Sequence, residues 1–286
     1  MLLAVAFTWG SSFVVVKKIL SIYPAGQLAS LYVIFASLSY GFFALKDMKV
    51  FSRGKYRYVF AYGLTRVLLP PYFFTLAQTK ITSSLTGILN TLTPIFTVLL
   101  GVMFFQLKIR RLQMIGVLVA FIGCTGLLFV NDKGTFGKFN FFVVFVLLAT
   151  FCNALSANIS KAKLSEFKPT AIVAVASVMV MPFALIYISF TDFFEILRTV
   201  DGAIEALVYV ALLGLFVNAI GLTIYNMVLQ KTNQIFTSTI SYIIPVVAIF
   251  WGVLAGEKLF ALHYAGLGLI FFGLYLADRH AKEMKI

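Results

Sequence analysis

The stretch "KITSSLTGILNTLTPIFTVLLGVMFFQ", residues 80–106, returns later in the chain as "KTNQIFTSTISYIIPVVAIFWGVLAGE", residues 231–257. At one constant offset the two copies match Lys80 with Lys231, Thr86 with Thr237, Pro94 with Pro245 and Gly101 with Gly252. After a one-residue gap the match continues through Gly116 with Gly266, Phe121 with Phe271 and Gly123 with Gly273. An ordered series of this kind indicates that the chain contains an internal duplication.

The composition places both copies in a membrane protein. Hydrophobic residues make up 61% of the 286 residues and charged residues only 12%, which is more apolar surface than a soluble domain of this length can bury. The net charge of +13 does not indicate nucleic-acid binding, because the Lys and Arg residues lie in short clusters between apolar runs. Cys124 and Cys152 lie inside apolar segments, so we expect packing residues and neither a disulfide nor a metal site.

Polar breaks divide the chain into ten segments, each about long enough for a membrane-spanning helix. They are residues 1–20, 27–45, 57–78, 82–105, 112–130, 139–160, 170–190, 203–229, 235–256 and 262–277. Residues 1–133 and 134–286 then hold five helices each. Because five is an odd number, the second unit enters the membrane in the opposite sense. The predicted fold is an all-α integral membrane protein of ten transmembrane helices, arranged as two inverted five-helix repeats.

The distribution of basic residues predicts the orientation. With a cytoplasmic N-terminus, fifteen Lys and Arg residues fall on the inner side and seven on the outer side, and Arg66 alone lies within the membrane. The positive-inside rule therefore favours cytoplasmic N- and C-termini. The outer connection "TDFFEILRTVDGAIE", residues 191–205, is either a short helix at the membrane surface or an ordinary loop.

Three features together resemble the EamA-type transporters of the drug/metabolite transporter superfamily. They are "TWGSSFVVVKK" in the first helix, the repeated "TP…LLG…Q" and "IP…WGVLAGE" helices, and the glycine-spaced helix that follows each of these. The resemblance covers nearly the whole chain. It implies a carrier in the bacterial inner membrane that exports amino acids or other small metabolites by alternating access.

The sequence departs from that family at one position. An acidic residue closes the fourth helix of each half in the family, whereas here Glu257 closes the second copy and Gln106 the first. A mechanism that needs a symmetrical pair of carboxylates is therefore in doubt. Proton coupling calls for a titratable group in the path, and the sequence offers one only if Glu257 turns inward.

Polar side chains at helical spacing mark faces that are turned away from lipid. Thr86, Asn90, Thr93 and Thr97 share one face of the fourth helix, and the repeat matches Thr86 with Thr237 and Asn90 with Ser241. These residues form either two walls of one cavity or hydrogen bonds between helices. The same two alternatives apply to Asn153 and Ser156 in the sixth helix and to Asn218 and Tyr225 in the eighth. Trp9 and Tyr242 offer flat surfaces that either cover a ligand or pack against helices.

Glycine and proline positions predict how the helices meet. Gly116 and Gly123, like Gly266 and Gly273, lie seven residues apart and permit close helix approach. Such an approach either joins the two halves or forms a dimer contact. The prolines of the third, fourth and ninth helices remove backbone donors, which produces either a hinge or a static kink.

Arg66 is the one cation deep inside a predicted helix. It follows the start of the third helix by about nine residues, near mid-membrane at a rise of about 1.5 Å per residue. No Asp or Glu lies in the centre of any predicted helix, and an unpaired charge in the bilayer costs at least about 2.5 kcal/mol. Arg66 therefore binds an anionic group of the substrate, bonds to carbonyls freed around Pro70 and Pro71, or reaches an interface.

The sequence thus predicts a secondary transporter that moves a small carboxylate-bearing metabolite, with no cofactor, no metal and no enzymatic chemistry. The alternative is efflux of apolar or cationic drugs, which the 16% aromatic content favours and Arg66 disfavours. The expected partners are a small-molecule substrate and the lipid bilayer, with no nucleic acid, in a monomer or a homodimer. The candidate substrate-binding residues are Trp9, Arg66, Thr86, Asn90, Asn153, Asn218, Tyr225, Thr237, Ser241 and Tyr242.

Overall fold

The regular elements of the described chain are helices. The computed structural model describes residues 2–105, 111–127, 129–130, 134–135, 137, 139–222, 224 and 240–279. The long helices are α1 (Leu2–Ile19), α2 (Ala25–Asp47), α3 (Tyr56–Gly63, Leu64–Leu68 and Leu69–Gln78 in unbroken succession), α4 (Ser83–Asn90 and Thr93–Phe105), α5 (Arg111–Leu127), α6 (Phe142–Lys163), α7 (Pro169–Ser189), α8 (Ala203–Leu213 followed by Gly214–Leu222), α9 (Ile240–Leu254) and α10 (Ala261–Arg279). Shorter helices cover Met48–Val50, Arg53–Lys55 and Phe193–Thr199.

Each of the ten segments predicted from the sequence overlaps one of these long helices, with ends that differ by a few residues in several cases. The connection after α7 is partly helical over Phe193–Thr199, so the prediction of a short helix there is confirmed over that of an ordinary loop. This helix is anchored by buried Phe193, whose ring centroid lies 5.9 Å from that of Tyr23 on the segment after α1. The Tyr23 hydroxyl donates to the carbonyl of Ala203 at 2.8 Å, which ties the start of α8 to the same cluster.

Several helices of the described chain are long and apolar enough to cross a membrane. Four meet both conditions, Arg53–Gln78, Ser83–Phe104, Phe142–Lys163 and Pro169–Ser189, and four apolar helices are shorter, Arg111–Leu127, Ala203–Asn218, Tyr242–Leu254 and Ala261–Ala277. Large apolar side chains such as Phe104, Ile122 and Phe272 point outward, whereas Ser37 and Ser177 are buried. An apolar exterior around a partly polar interior is typical of helices that pack within a bilayer.

The helix contacts follow a recurring pattern. α1 packs against α8 and α9, while α6 packs against α3 and α4. α2 packs against α7 and α8, while α7 packs against α3 as well as α2. Two further pairs, α4 with α9 and α5 with α10, complete the core of the bundle. Helices from the first half of the chain therefore make many of their contacts with helices from the second half.

The predicted glycine pairs form the contact between α5 and α10. A Cβ atom at Gly116 would stand 2.5 Å from the carbonyl oxygen of Gly273, and a Cβ atom at Gly123 would stand 2.8 Å from that of Gly266. Any side chain would therefore collide with the facing backbone. Because the earlier glycine of α5 meets the later glycine of α10, the two helices run antiparallel. Of the two alternatives left open by the sequence, these glycines serve the contact between the halves.

Prolines coincide with two irregular places in the first half. Leu64–Leu68 of α3 is π-helical and ends just before Pro70 and Pro71, which lack the N–H groups that an α-helix would direct to the carbonyls of Arg66 and Val67. In α4 the helix breaks after Asn90, whose carbonyl has no N–H partner at Pro94 and accepts a bond from the Thr93 hydroxyl at 2.9 Å. A second π-helical stretch, Gly214–Leu222, lies in α8.

Candidate functional site

Arg66 lies in the π-helical stretch of α3, between α1 and α6. One of its terminal nitrogens donates to the side-chain oxygen of Asn153 at 3.0 Å, and Asn153 is 9% exposed. The guanidinium carbon also lies 5.9 Å from the ring centroid of Trp9. Three of the residues predicted to bind substrate therefore meet at one place, contributed by three helices.

The charge of Arg66 has no acidic partner in the described part of the chain. The single ion pair among those residues joins Lys55 to Glu166 at 2.7 Å, well away from Arg66 along the sequence. A guanidinium carries five N–H groups, and Asn153 accepts from one of them. The arrangement leaves donors and an uncompensated positive charge for an incoming anion. Arg66 also keeps part of its surface accessible.

Trp9 is fixed by the second π-helical stretch. Its indole N–H donates to the carbonyl of Val217 at 2.9 Å, and Gly221 lies so close that a Cβ there would stand 2.8 Å from the indole nitrogen. Backbone carbonyls that leave the regular α-helical pattern can accept bonds from side chains, and π-helical stretches recur at functional sites. Trp9 thus links α1 and α8 while its ring faces Arg66.

Asn218 belongs to the same stretch and lies near two tyrosines of α2, Tyr32 and Tyr40. The carbonyl of Asn218 accepts a bond from the Tyr40 hydroxyl at 2.9 Å, and its side chain lies near the Tyr32 hydroxyl. Tyr32 also lies within the electrostatic reach of Arg66. The side chain of Tyr32 is half-buried.

Sequence reasoning missed Tyr32, Tyr40 and Val217. The two tyrosines are eight residues apart and therefore lie close to one face of α2, a spacing that could have identified them. Val217 contributes only its backbone carbonyl, so no side-chain pattern could have identified it. In the following text, the Arg66 cluster means Trp9, Tyr32, Arg66, Asn153 and Asn218.

The other predicted residues lie apart from these contacts or outside the described chain. Thr86 is fully buried, and its hydroxyl donates to the carbonyl of Thr82 at 2.9 Å, so it borders no accessible space in this conformation. Asn90 is half-buried at the break in α4. Tyr242 packs with its ring centroid 5.4 Å from that of Phe271. Tyr225 and Thr237 lie outside the described residues, and Ser241 is described only as part of α9.

Two further polar residues of α6, Asn158 and Ser156, form hydrogen bonds between or within helices. The Asn158 side chain donates to the carbonyl of Thr97 on α4 at 3.1 Å, which fits the interpretation of such amides as links between helices. The Ser156 hydroxyl donates to the carbonyl of Asn153 at 2.7 Å within α6. Ser156 therefore supports the turn that carries Asn153 and does not point a free hydroxyl at the cluster.

Glu257 does not turn toward the Arg66 cluster. Its carboxylate accepts bonds from the backbone N–H groups of Ser83 and Ser84, at 2.7 and 2.9 Å, and from the Ser84 hydroxyl at 2.6 Å. Because the first N–H groups of a helix lack partners within it and carry partial positive charge, Glu257 caps α4 from the end of α9. The titratable group considered for proton coupling is thus a structural cap in this conformation.

Among the residues that the structure describes, no three His, Cys, Asp or Glu side chains come together in a group that could hold a metal ion. Cys124 and Cys152 are buried and unbonded to each other. The polar groups that meet at the Arg66 cluster are an arginine, amides, tyrosine hydroxyls and an indole. Such groups recognise a solute by hydrogen bonds and charge.

Known proteins are similar to this chain in sequence and in fold. The sequence profile of the EamA-like transporter family matches residues 1–129 and 140–277. The chain is 24% identical over 272 residues to an uncharacterised transporter of Archaeoglobus fulgidus, with 95% of each chain covered. It is 27% identical over 286 residues to a probable amino-acid metabolite efflux pump of Salmonella typhimurium, covering 96% of this chain and 92% of that one.

A solved crystal structure is similar in fold, with a TM-score of 0.63 and 18% identity over 100% of this chain and 98% of the other. The apolar helices and the family profile together describe a multi-pass membrane protein. The profile matches both halves of the chain, so the resemblance noted in the sequence is confirmed: this protein belongs to the EamA-like transporter family.

Proposed function

We propose that this protein is a secondary carrier that exports a small metabolite bearing a carboxylate, of the amino-acid class, and that Arg66 binds the carboxylate. The observation that carries the proposal is an arginine inside the helix bundle whose described partners, Asn153 and Trp9, are both uncharged. Burying an unpaired charge is costly. A negatively charged solute at this position would compensate it.

The geometry around the guanidinium favours a planar anion. A carboxylate accepts two parallel N–H bonds from an arginine, which lysine cannot offer. Asn153 holds one edge of the guanidinium, and Trp9 covers one face. The described bond of Arg66 goes to a side chain and not to a carbonyl near Pro70 and Pro71, which weakens the interpretation that Arg66 only satisfies freed backbone groups.

Alternating access follows if the two halves form an inverted repeat. The contacts of α1 with α8 and α9 have counterparts in those of α6 with α3 and α4. The π-helical Leu64–Leu68 and residues 215–219 of the second π-helical stretch lie 151 positions apart, the same offset that relates Lys80 to Lys231. Two halves of matching construction can exchange conformations, so that a central site opens first to one side and then to the other.

Two glycines support the same relationship. Gly63 and Gly214 are also 151 positions apart, and each begins or directly precedes a π-helical stretch. A Cβ at Gly63 would stand 2.8 Å from the carbonyl oxygen of Ala176 on α7, and one at Gly214 would stand 2.9 Å from the nitrogen of Ala36 on α2. The third helix of each half thus lies directly against the second helix of the other half.

The direction and class of transport rest on the relative from Salmonella typhimurium, which is named a probable amino-acid metabolite efflux pump. The alternative of drug efflux is disfavoured at the Arg66 cluster, because the guanidinium already occupies one face of Trp9 and would repel a second cation. We place the protein in a bacterial inner membrane with both termini in the cytoplasm, on the basis of its excess of inner Lys and Arg residues.

Counterflow in proteoliposomes tests the proposal. Vesicles preloaded with one amino acid should accumulate the same labelled amino acid from outside, and the label should be recovered chemically unchanged. Protein-free vesicles are the control. Failure of every amino acid and organic acid in a panel to exceed that control would refute the assignment, and uptake of a lipophilic cation instead would support the drug-efflux alternative.

A further inference from the structure

A cavity lies at the C-terminal end of α3, beyond the Arg66 cluster. It has a volume of about 250 Å³, is open on one side and is lined by Lys17, Leu20, Ser21, Gln78 and Thr79. Gln78 is twelve residues beyond Arg66 on α3, which corresponds to about 18 Å along a helix. The cavity is therefore separate from the Arg66 cluster and lies where α3 ends and α4 begins.

Lys17 gives the cavity a positive charge. Its ammonium group donates to the carbonyls of Gln78 and Ile81, at 2.5 and 2.8 Å, which leaves its third N–H available. Glu257 attracts this charge and Lys80 repels it, but Glu257 forms no ion pair with Lys17 within 4.0 Å. The Glu257 oxygens are instead engaged by the backbone and hydroxyl groups at the start of α4.

Gln78 adds an amide without described partners. The residue is 1% exposed, and neither its side-chain nitrogen nor its side-chain oxygen forms a hydrogen bond with a described residue. Leaving a buried polar group without a hydrogen-bond partner lowers the free energy of unfolding by about 1–3 kcal/mol. Because the amide supplies both donors and an acceptor, a molecule that satisfies it must itself offer an acceptor and a donor.

We infer that the cavity beside Lys17 and Gln78 is a second solute site, which takes a small molecule carrying a carboxylate and an adjacent hydrogen-bond donor, as a zwitterionic α-amino acid does. The carboxylate accepts a bond from the free N–H of Lys17 and, once the unbonded Gln78 side chain turns into the cavity, a second from its amide nitrogen. The ammonium group of the solute donates to the Gln78 amide oxygen. Identifying the occupant as the transported class of solute rests on the proposed function, whereas the charge and the unpartnered amide do not.

Cysteine labelling at Ser21 tests this inference without any transport step. Ser21 is exposed at the cavity, and Ser21→Cys is prepared with Cys124 and Cys152 replaced by alanine. An anionic methanethiosulfonate reagent should react faster than a cationic one. Lys17→Gln should reduce that preference by about tenfold, the effect expected for one unit charge several ångströms away in a partly solvated site. Exposed Ser189, changed to Cys as a control at the end of α7, should not respond to Lys17→Gln.

Protection by a defined probe tests recognition of the solute. L-Alanine should slow labelling of Ser21→Cys, whereas L-alaninamide at the same ionic strength should not, because it lacks the carboxylate. Gln78→Glu, which supplies its own carboxylate to Lys17, should abolish protection by L-alanine even if Lys17→Gln fails to fold. Equal protection by acid and amide, or none by either, would overturn the second site.

The outcomes separate this inference from the proposed function. Protection by L-alanine in a protein that transports nothing would support the site and refute the carrier. Counterflow of amino acids with no protection at Ser21→Cys would support the carrier and refute the site.

Discussion

Gly116 of α5 and Gly273 of α10 meet backbone to backbone, so close that a Cβ on Gly116 would lie 2.5 Å from the Gly273 carbonyl oxygen. Gly123 and Gly266 repeat the contact one heptad away in the opposite order. Antiparallel helices from the two halves are thus joined through backbone atoms, with no side chain between them at these points.

This contact predicts that changing different glycines of α5 and α10 to alanine has sharply different effects on the stability of the protein. Gly116→Ala and Gly273→Ala should each destabilise the protein by about 1–3 kcal/mol, as overpacking does. Gly126→Ala and Gly268→Ala are matched controls, because a Cβ at either position meets no atom within 4 Å. The controls should be neutral or slightly stabilising, since alanine favours a helix over glycine by up to about 1 kcal/mol. Thermal melting in detergent distinguishes the two groups, and equal melting temperatures would contradict the contact.

The cap on α4 predicts an effect on stability. Glu257→Ala removes the acceptor for two backbone N–H groups and one hydroxyl at Ser83 and Ser84. Leaving those donors without their partner should lower the free energy of unfolding by about 1–3 kcal/mol. Glu195→Ala, at an exposed position on the short helix Phe193–Thr199, is the control. An unchanged melting temperature for Glu257→Ala would show that the cap contributes nothing.

The indole N–H of Trp9 gives a third prediction. Trp9→Phe keeps an aromatic face toward Arg66 but loses the bond to the Val217 carbonyl, so α1 and α8 should be less firmly connected and flux should fall several-fold. Trp251→Phe is the matched change, because the Trp251 indole N–H is buried with no hydrogen-bond partner among the described residues. Proteoliposome flux normalised to inserted protein measures both, and equal losses would remove the specific role of Trp9.

Substitutions at Asn90 and Thr86, two residues on the same face of α4, test whether this face lines a cavity. Asn90 is half-buried at the helix break, whereas Thr86 is fully buried and bonded within its own helix. Asn90→Leu should therefore reduce transport with little effect on melting, and Thr86→Val should leave transport close to the parent. If Thr86→Val proves the more damaging to flux, Thr86 becomes exposed to the solute in another conformation of the cycle.

The apolar runs were enough to predict where the long helices lie, because each run needs a length suited to the bilayer. The close contact of Gly116 and Gly123 with α10 was also visible as a repeated spacing, although the sequence could not exclude a dimer contact. The π-helical stretches were not predictable. They depend on how Pro70 and Pro71, and the packing of α8, shift the backbone hydrogen bonds.

The site was predicted only in part. Trp9, Arg66 and Asn153 stand out as polar or amphipathic residues in apolar segments, and the structure brings them together. Asn218, predicted for the same reason, follows Val217, whose carbonyl holds the Trp9 indole. Tyr32 was missed because a tyrosine in an apolar run resembles ordinary packing. The role of Glu257 could not be inferred, since a capping bond between α9 and α4 joins residues more than 170 positions apart.

The central claim is that Arg66 binds the carboxylate of the solute, and flux with a matched acid and amide tests it most directly. Flux and melting temperature are measured for the parent, Arg66→Lys and Arg66→Leu, with an amino acid and with its carboxamide. A charge-assisted hydrogen bond is worth about 1.5–3 kcal/mol, so Arg66→Leu should lower flux of the acid by about tenfold to a hundredfold. Arg66→Lys should be intermediate, because it keeps the charge and loses the paired N–H groups. We predict that the carboxamide flux stays unchanged in both variants, and an equal loss for acid and carboxamide would contradict the claim.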